Sequence, residues 1–135
     1  MTQNSSLTPT GYKPDQHTSV APYLVVEGAS RTIEFLKAVF DATELYRIPN
    51  DSDQLTHAEV RLDDTVIMLG DQAEGWPAVP AHVHVYVPDV DAVYQKALAW
   101  GATSVQEPIQ KDDADKRGGV KGPGGTTWWI ATKVD

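Results

Sequence analysis

The chain has 135 residues, 41% of them hydrophobic, which suffices for one domain with a buried core. Its formal net charge of −8 leaves few cations for phosphate backbones or anionic lipids, so we expect neither nucleic acid nor a membrane as a partner. It contains no cysteine, which excludes disulfides and thiolate chemistry, and it shows no signal peptide, so we expect a cytoplasmic protein.

The predicted elements begin after a polar segment, 1–19, which lacks hydrophobic periodicity and is expected to form an N-terminal arm. Alternating apolar residues from Val20 to Val26 predict a strand, in which Pro22 favours an early or edge position. A helix is predicted from Arg31 to Phe40, with Ser30 as its N-cap. Three short strands are predicted next, at residues 43–48, 56–62 and 65–70.

The second half repeats this order after a crossover loop at 71–81, which holds two prolines and a glycine. A strand from His82 leads into a helix that is predicted to be capped by Asp89 or Asp91 and stopped by Gly101. Three strands complete the series at residues 103–106, 116–121 and 126–132, and the polar residues 106–119 are predicted to form a long loop.

A shift of about 60 residues superimposes the two halves, so the chain is predicted to be a duplicated βαβββ unit. We expect module one at about 20–70 and module two at about 82–132, within a single domain at 20–135. Two such modules related by a pseudo-twofold predict an α+β fold with a curved mixed sheet, whose concave face forms a cup where a ligand can bind.

Strand alternation separates an apolar core face from a chemically mixed cup face. The core face is predicted to contain Pro22, Leu24, Val26, Ala58, Val60, Leu62, Ile67, Leu69, Val83, Val85, Val87, Trp128 and Ile130. Aromatic, imidazole, carboxylate and guanidinium groups share the cup face, as is typical of small-molecule pockets. The predicted ligand-binding residues are Tyr23, His57, Glu59, Arg61, Met68, Trp76 of the crossover loop, His82, His84, Tyr86 and Trp129. A partly exposed sheet face or a dimer interface is the alternative.

Four segments carry a resemblance to a known family: APYLVVEGASRTIEFLKAVFDATEL (21–45), HAEVRLDDTVIMLGD (57–71), HVHVYVPDVDAVYQKALAWGAT (82–103) and RGGVKGPGGTTWWIAT (117–132). They resemble the glyoxalase/bleomycin resistance/dioxygenase superfamily, also called vicinal oxygen chelate, and within it the PhnB-like branch. The resemblance covers about residues 20–133. It implies paired βαβββ modules and a homodimer.

In metal-dependent members of that family, four strand positions hold the metal, and the resemblance places them at Ala21, Met68, His82 and Trp129. Only His82 among these has a donor atom suited to a hard divalent ion. A catalytic site ordinarily needs about three protein ligands, so we expect no catalytic metal and no cofactor. A displaced divalent site formed by His57, Glu59, His82 and His84 is the alternative.

Two further functions stay open at this point. A lyase, isomerase or glyoxalase-like enzyme would use His57, Glu59 or His82 as its catalytic residue, although Glu59 and Arg61 are more simply expected to share a surface ion pair. Metal-free relatives of the resembled family sequester antibiotics in aromatic grooves, where Tyr23, Tyr86, Trp76 or Trp129 could stack on a ligand. We expect a homodimer that binds a small organic molecule without a catalytic metal.

Overall fold

Two βαβββ modules follow one another along the chain, as predicted. The computed structural model describes residues 11–134. Module one contains β1 (Tyr23–Val26), α1 (Ala29–Phe40), β2 (Thr43–Pro49), β3 (Leu55–Leu62) and β4 (Thr65–Asp71). Module two contains β5 (His82–Tyr86), α2 (Val90–Ala99), β6 (Thr103–Gln110), β7 (Asp115–Lys121) and β8 (Thr127–Lys133). Between residues 11 and 134, neither helix is long and apolar enough to cross a membrane.

The strand pairing repeats in the two modules. Each forms a four-stranded sheet, in the order β1-β4-β3-β2 and β5-β8-β7-β6, with one parallel pair at the edge. Tyr23 lies opposite Met68 in module one, and His84 lies opposite Trp129 in module two. Even the irregularity between Glu44 and Tyr46 of β2 recurs in β6. The register therefore confirms the predicted duplication and the α+β fold class.

The start of α1 differs from the prediction, because Ser30 is not its N-cap. Gly28 occupies the N-cap position with a φ of 92°, and because glycine has no side chain it offers no side-chain acceptor to the first turn of the helix. Instead Asp71, at the end of β4, accepts hydrogen bonds from the backbone N–H groups of Gly28 and Ala29, each at 2.9 Å. A second oxygen of Asp71 accepts from the N–H of Leu55 at 2.7 Å. One carboxylate thus joins a helix start to two strands.

Thr132 is the counterpart of Asp71 in module two. Its hydroxyl accepts from the N–H of Val90 at 2.9 Å and donates to the carbonyl of Val87 at 2.7 Å. Asp89 is the N-cap of α2, as predicted, and accepts from the N–H of Ala92 at 3.1 Å. Gly101 follows the helix with a φ of 102°, a conformation that favours glycine.

The predicted loop at 106–119 is wrong, because most of it is a hairpin. β6 continues to Gln110 and β7 begins at Asp115, which leaves residues 111–114 as the connection. Register shifts break the two-residue alternation of β6, and β6 is an edge strand, where Pro108 is tolerated. An edge strand with little burial has no apolar periodicity for a sequence prediction to detect.

The helices pack on the predicted core faces and against each other, and α1 also packs against module two. Leu24, Val26, Ala58, Val60, Leu62, Ile67, Leu69, Val85, Trp128 and Ile130 are buried. The ring centroid of Trp128 in β8 lies 6.3 Å from that of Phe35 and 5.6 Å from that of Phe40, both in α1. Gly124, in the turn before β8, has a φ of 76°, and a Cβ there would lie 2.7 Å from the Cβ of Val26. The two modules therefore share one core.

Candidate functional site

The predicted cup residues form two clusters, one on each sheet. The module-one cluster contains Tyr23, Tyr46, His57, Glu59, Arg61, Met68 and Trp76, together with His17 from the segment before β1. The module-two cluster contains His82, His84, Tyr86, Asp115, Arg117 and Trp129. Among residues 11–134, no side-chain hydrogen bond, ion pair or ring contact joins one cluster to the other.

Glu59 is the centre of the module-one cluster. It lies in the middle of β3 and is only 4% exposed. Its Oε2 accepts from the Nε2 of His57 at 2.9 Å and from the hydroxyl of Tyr46 at 2.9 Å. Its Oε1 lies 3.0 Å from the Nε2 of His17. A buried carboxylate requires such donors, because an unpaired charge in the interior is costly.

These donors keep Glu59 ionised. Burial acts to raise the pKa of Glu59, but the hydrogen bonds from His57 and Tyr46 and the charges of His17 and His57 outweigh it, so the pKa lies below its ordinary value. The same bond raises the pKa of Tyr46, because it stabilises the phenol that donates to Glu59. A carboxylate with a lowered pKa is a weak general base at neutral pH.

A series of aromatic rings extends from the donors of this carboxylate to the crossover loop. The hydroxyl of Tyr23 lies 3.2 Å from the Nδ1 of His57, and the ring of Trp76 meets that of Tyr23 edge-on at 6.1 Å. Tyr23, Tyr46 and Trp76 are 41%, 46% and 49% exposed, respectively. The arrangement presents flat apolar surface to solvent beside a buried negative charge.

The expected ion pair between Glu59 and Arg61 is not formed. Glu59 is already bound by two imidazoles and a phenol, and the guanidinium of Arg61 instead donates to the backbone carbonyl of Gln16 at 3.4 Å. The residues before β1 therefore contact the sheet face at two neighbouring points. The predicted arm at 1–19 is in part described: residues 1–10 lie outside the described residues, whereas 16 and 17 lie on module one.

In the module-two cluster, His82 accepts a hydrogen bond from Trp129. The indole N–H of Trp129 donates to the Nδ1 of His82 at 3.1 Å, and the two rings are nearly parallel, at 11°, with centroids 6.3 Å apart. Because an indole nitrogen only donates, Nδ1 of His82 is the unprotonated nitrogen in this bond. Gly119 makes room for the indole, since a Cβ there would lie 2.6 Å from the Trp129 ring. Gly119 lies opposite Trp129 as Glu59 lies opposite Met68.

The other half of the module-two cluster is a hydrogen-bonded network around Arg117. Its guanidinium donates to His84 at 3.0 Å and to the buried Asp115 at 2.9 Å, and Tyr86 also donates to Asp115 at 2.6 Å. Partial desolvation of the ring and the charge of Arg117 lower the pKa of His84. The bond to Asp115 raises the pKa of Tyr86. These residues hold one another in place.

The candidate metal residues are divided between the clusters. His57 and Glu59 belong to module one and His82 and His84 to module two, and no group of three or more metal-binding side chains forms a site among residues 11–134. Of the four positions that the family resemblance indicates, Met68 and Trp129 lie at equivalent places in their sheets, and Trp129 bonds to His82. Neither a thioether nor an indole suits a hard divalent ion.

Four residues of the clusters were not predicted: His17, Tyr46, Asp115 and Arg117. Tyr46 and Arg117 lie in predicted strands. The irregularity in β2 obscures the face of Tyr46, whereas the regular pairing of β7 with β8 means that alternation could have placed Arg117. Asp115 fell in the predicted loop. For His17 the sequence offers no signal, because its segment has no periodicity.

A relative of similar sequence and several solved structures of the same fold match this chain. An uncharacterized protein of Mycobacterium bovis, Mb0911c, is 33% identical over 127 residues, which covers 86% of this chain and 84% of that protein. The crystal structure of TioX from Micromonospora sp. ML1 matches with a TM-score of 0.73 at 22% identity, covering 86% of this chain and 98% of TioX.

Two further structures share the fold. A PhnB protein from Bacillus cereus, described as a putative 3-demethylubiquinone-9 3-methyltransferase, matches with a TM-score of 0.69 at 19% identity, covering 85% of this chain and 99% of that one. TnmS3, an antibiotic binding protein from Streptomyces sp. CB03234, matches with a TM-score of 0.67 at 15% identity, covering 87% of this chain and 99% of that one.

The family model for this fold matches almost the whole domain. It covers residues 16–130, which include β1 and most of β8. The resemblance seen in the sequence is thereby confirmed, and the chain belongs to the glyoxalase/bleomycin resistance protein/dioxygenase superfamily.

Proposed function

We propose that this protein binds a small organic molecule in its sheet cup and does so without a catalytic metal. The observation that carries the proposal is the wall of half-exposed aromatic rings, Tyr23, Tyr46 and Trp76, around the buried carboxylate of Glu59. Flat rings give affinity at low entropic cost, and a few fixed polar groups set the orientation of a ligand.

A fragment screen tests the binding. Planar aromatic compounds are added to the protein, and binding is followed by the rise in apparent melting temperature and by NMR shifts in β1 and β3. Hits are expected to weaken about tenfold in Tyr23→Ala, which corresponds to one lost ring contact of about 1.4 kcal/mol. Tyr12→Ala is the matched control, because Tyr12 is 58% exposed and interacts with Ser19 and Lys13 of its own segment.

Metal analysis tests the second half of the proposal. Protein purified without chelator is expected to contain no stoichiometric zinc, nickel, iron or manganese. Stoichiometric metal whose removal abolishes an activity would overturn the proposal.

We further propose that two copies associate to complete the cup. The support is that the two clusters share no contact within one chain, across residues 11–134, while large apolar side chains such as Tyr86 and Ile109 are 61% and 47% exposed. Light scattering should give a mass near twice the 14.7 kDa of one chain. A mass of one chain at high micromolar concentration would contradict this association.

An acid–base enzyme is the second candidate, and one observation favours it. The hydroxyl of Tyr23, the ring of His57 and the carboxylate of Glu59 form a continuous hydrogen-bonded chain, with links of 3.2 Å and 2.9 Å. Such a chain can hold the imidazole in one tautomer and move a proton to or from the tyrosine. Turnover of any compound found in the screen, lost in both His57→Ala and Tyr23→Phe, would favour this enzyme over a binding protein.

Antibiotic sequestration is a form of the binding proposal that the fold likeness to TnmS3 supports. A sequestering protein is expected to protect cells in proportion to its concentration and to release its ligand unchanged. Recovery of a chemically altered ligand would point to the enzyme instead.

A further inference from the structure

We propose that His17 occupies the place of a ligand's cationic N–H group, and that the module-one cluster takes organic cations in which an amine, amidine or imidazolium is attached to a flat ring. The inference rests on the proposed function and names its ligand class. The arm that carries His17 would then move aside when such a ligand binds.

The two oxygens of Glu59 are held differently. Oε2 accepts from His57 and Tyr46, which lie on β3 and β2 of the same sheet. Oε1 is 3.0 Å from the Nε2 of His17, and no other side chain in the described part of the chain donates to it. Departure of His17 would therefore leave one buried carboxylate oxygen unpaired. A buried anionic acceptor without a donor is costly, so the vacated position favours a cationic N–H group above a neutral or anionic one.

The segment that carries His17 is lightly attached. Every residue from 11 to 20 is exposed except His17, whose side chain is 9% exposed. The N–H of His17 bonds to the carbonyl of Pro14 at 3.2 Å, and Gln16 has a φ of 66°, so a tight turn directs the imidazole at the sheet. Within the described residues 11–20, one other hydrogen bond reaches module one, the 3.4 Å bond from Arg61 to the carbonyl of Gln16. A segment with so little buried surface can be displaced at small cost.

The surroundings of Oε1 suit a flat ring. Tyr46 and His57 face each other across β2 and β3 with ring centroids 5.8 Å apart, and Tyr23 lies 5.5 Å from His57 on the other side. Trp76 extends this wall beyond Tyr23. Cations bind well beside such rings, because the faces of aromatic rings carry negative charge. The aromatic side chains would thus bind the flat ring of the ligand while Oε1 of Glu59 binds its cationic group.

Three probes of nearly one shape separate charge from shape: benzamidine is a cation, benzamide is neutral, and benzoate is an anion. Their affinities are measured by calorimetry for the wild type and for His17→Ala. Benzamidine is expected to bind His17→Ala about tenfold more tightly than the wild type, since one charge-assisted hydrogen bond becomes available. Benzamide and benzoate are expected to gain no more than about twofold, a limit set by the same hydrogen-bond scale.

Two further variants control the experiment. Thr18→Ala alters the arm without touching Glu59, since the hydroxyl of Thr18 donates to the carbonyl of Val20. This variant is expected to bind all three probes as the wild type does. Combining Glu59→Gln with His17→Ala is expected to abolish the preference for benzamidine over benzamide. If the double variant does not fold, the three-probe comparison in His17→Ala decides alone, because a gain confined to the cation requires an anionic partner.

The results separate this inference from the function on which it rests. Equal affinity of benzamidine for the wild type and His17→Ala, or an equal gain for benzamide, would overturn the role of His17. If no probe binds any variant while the fragment screen finds other ligands, the cationic ligand class is wrong and the cup is still a binding site. An empty fragment screen would remove the proposed function as well.

Discussion

At the scale of single residues, the candidate site depends on how one buried charge is balanced. Glu59 and Met68 face each other in module one, whereas the equivalent pair in module two is Gly119 and Trp129. A carboxylate surrounded by donors has been kept in one half, and a glycine that accommodates an indole in the other. The duplicated backbone thus offers two similar places with opposite chemistry.

The hydrogen bond from Tyr46 to Glu59 should make stability depend on pH. Tyr46→Phe removes that donor, so the pKa of Glu59, followed by NMR, is expected to rise towards its ordinary value. Because the folded-state pKa is lowered, ionised Glu59 stabilises the fold above the unfolded-state pKa, and this contribution is lost as the pH falls through the folded-state pKa. Denaturation should therefore show the largest stability loss of Tyr46→Phe at neutral pH and a smaller one in acid.

Tyr12→Phe is the control for this measurement, because it also removes a phenol hydroxyl but at an exposed place. It should change stability little at any pH. A stability loss of Tyr46→Phe that stays constant from neutral to acid pH would show that the hydroxyl does not act through the ionised carboxylate.

Gly119 should tolerate no side chain, for a reason specific to Trp129. A Cβ at Gly119 would come within 2.6 Å of the indole ring, so Gly119→Ala is expected to displace Trp129 and cost about 1–3 kcal/mol by overpacking. The displaced indole would also lose its hydrogen bond to the Nδ1 of His82, and a change in the NMR shift of the Trp129 indole N–H would detect that loss. An unchanged melting temperature together with an unchanged indole N–H shift of Trp129 would contradict the predicted contact. Gly125→Ala is not a suitable control, because Gly125 has a φ of 86° and a side chain at that backbone conformation causes strain whatever space is available.

At the scale of elements, each helix begins on a side chain from the last strand of its own module. Asp71 of β4 accepts three backbone N–H groups, and Thr132 of β8 accepts one and donates one. Side chains in this place satisfy the N–H groups that a helix start leaves without partners. They also fix the helix on the sheet, and so fix where the cup face points.

Replacing Asp71 and replacing Thr132 are expected to lower stability by different amounts. Asp71→Ala leaves three backbone donors without their charged acceptor and is expected to cost about 2–3 kcal/mol in the free energy of unfolding. Thr132→Ala removes one neutral cap and is expected to cost about 1 kcal/mol. Urea denaturation of both variants measures the difference. Equal losses would mean that the carboxylate adds nothing to the cap.

Local sequence patterns predicted one helix cap and missed the other. The difference is the distance in sequence between the capping residue and the helix that it caps. The cap of α2 by Asp89 is a contact over three residues, so the sequence was sufficient to predict it. The cap of α1 comes from Asp71, more than forty residues away, and no local pattern reveals it. The strands that alternate were predicted. Of β6, an edge strand with register shifts and Pro108, the prediction included residues 103–106 and wrongly placed 107–110 in a loop.

At the scale of the molecule, the cup residues could be predicted by alternation but their partners could not. Tyr23, His57, Glu59 and Trp76 do lie together, and so do His82 and Trp129. The expected pairing of Glu59 with Arg61 was wrong, since His17 reaches Glu59 from a segment with no periodicity. Duplication explains the backbone, but the charges within each half are satisfied by residues that the duplication does not relate.

Trp128 should make the two modules unfold as one unit. It is fully buried in β8 of module two, yet it packs on Phe35 and Phe40 of α1 in module one. Trp128→Ala would leave a large cavity between the modules and is expected to cost about 3–5 kcal/mol. Because the cavity borders both halves, amide hydrogen exchange should accelerate together in β3 and β8. Trp76→Ala, at a half-exposed position, is the control and should leave exchange in both strands nearly unchanged. Acceleration confined to β8 would mean that module one keeps its own core, and that the shared packing does not couple the two halves of the cup.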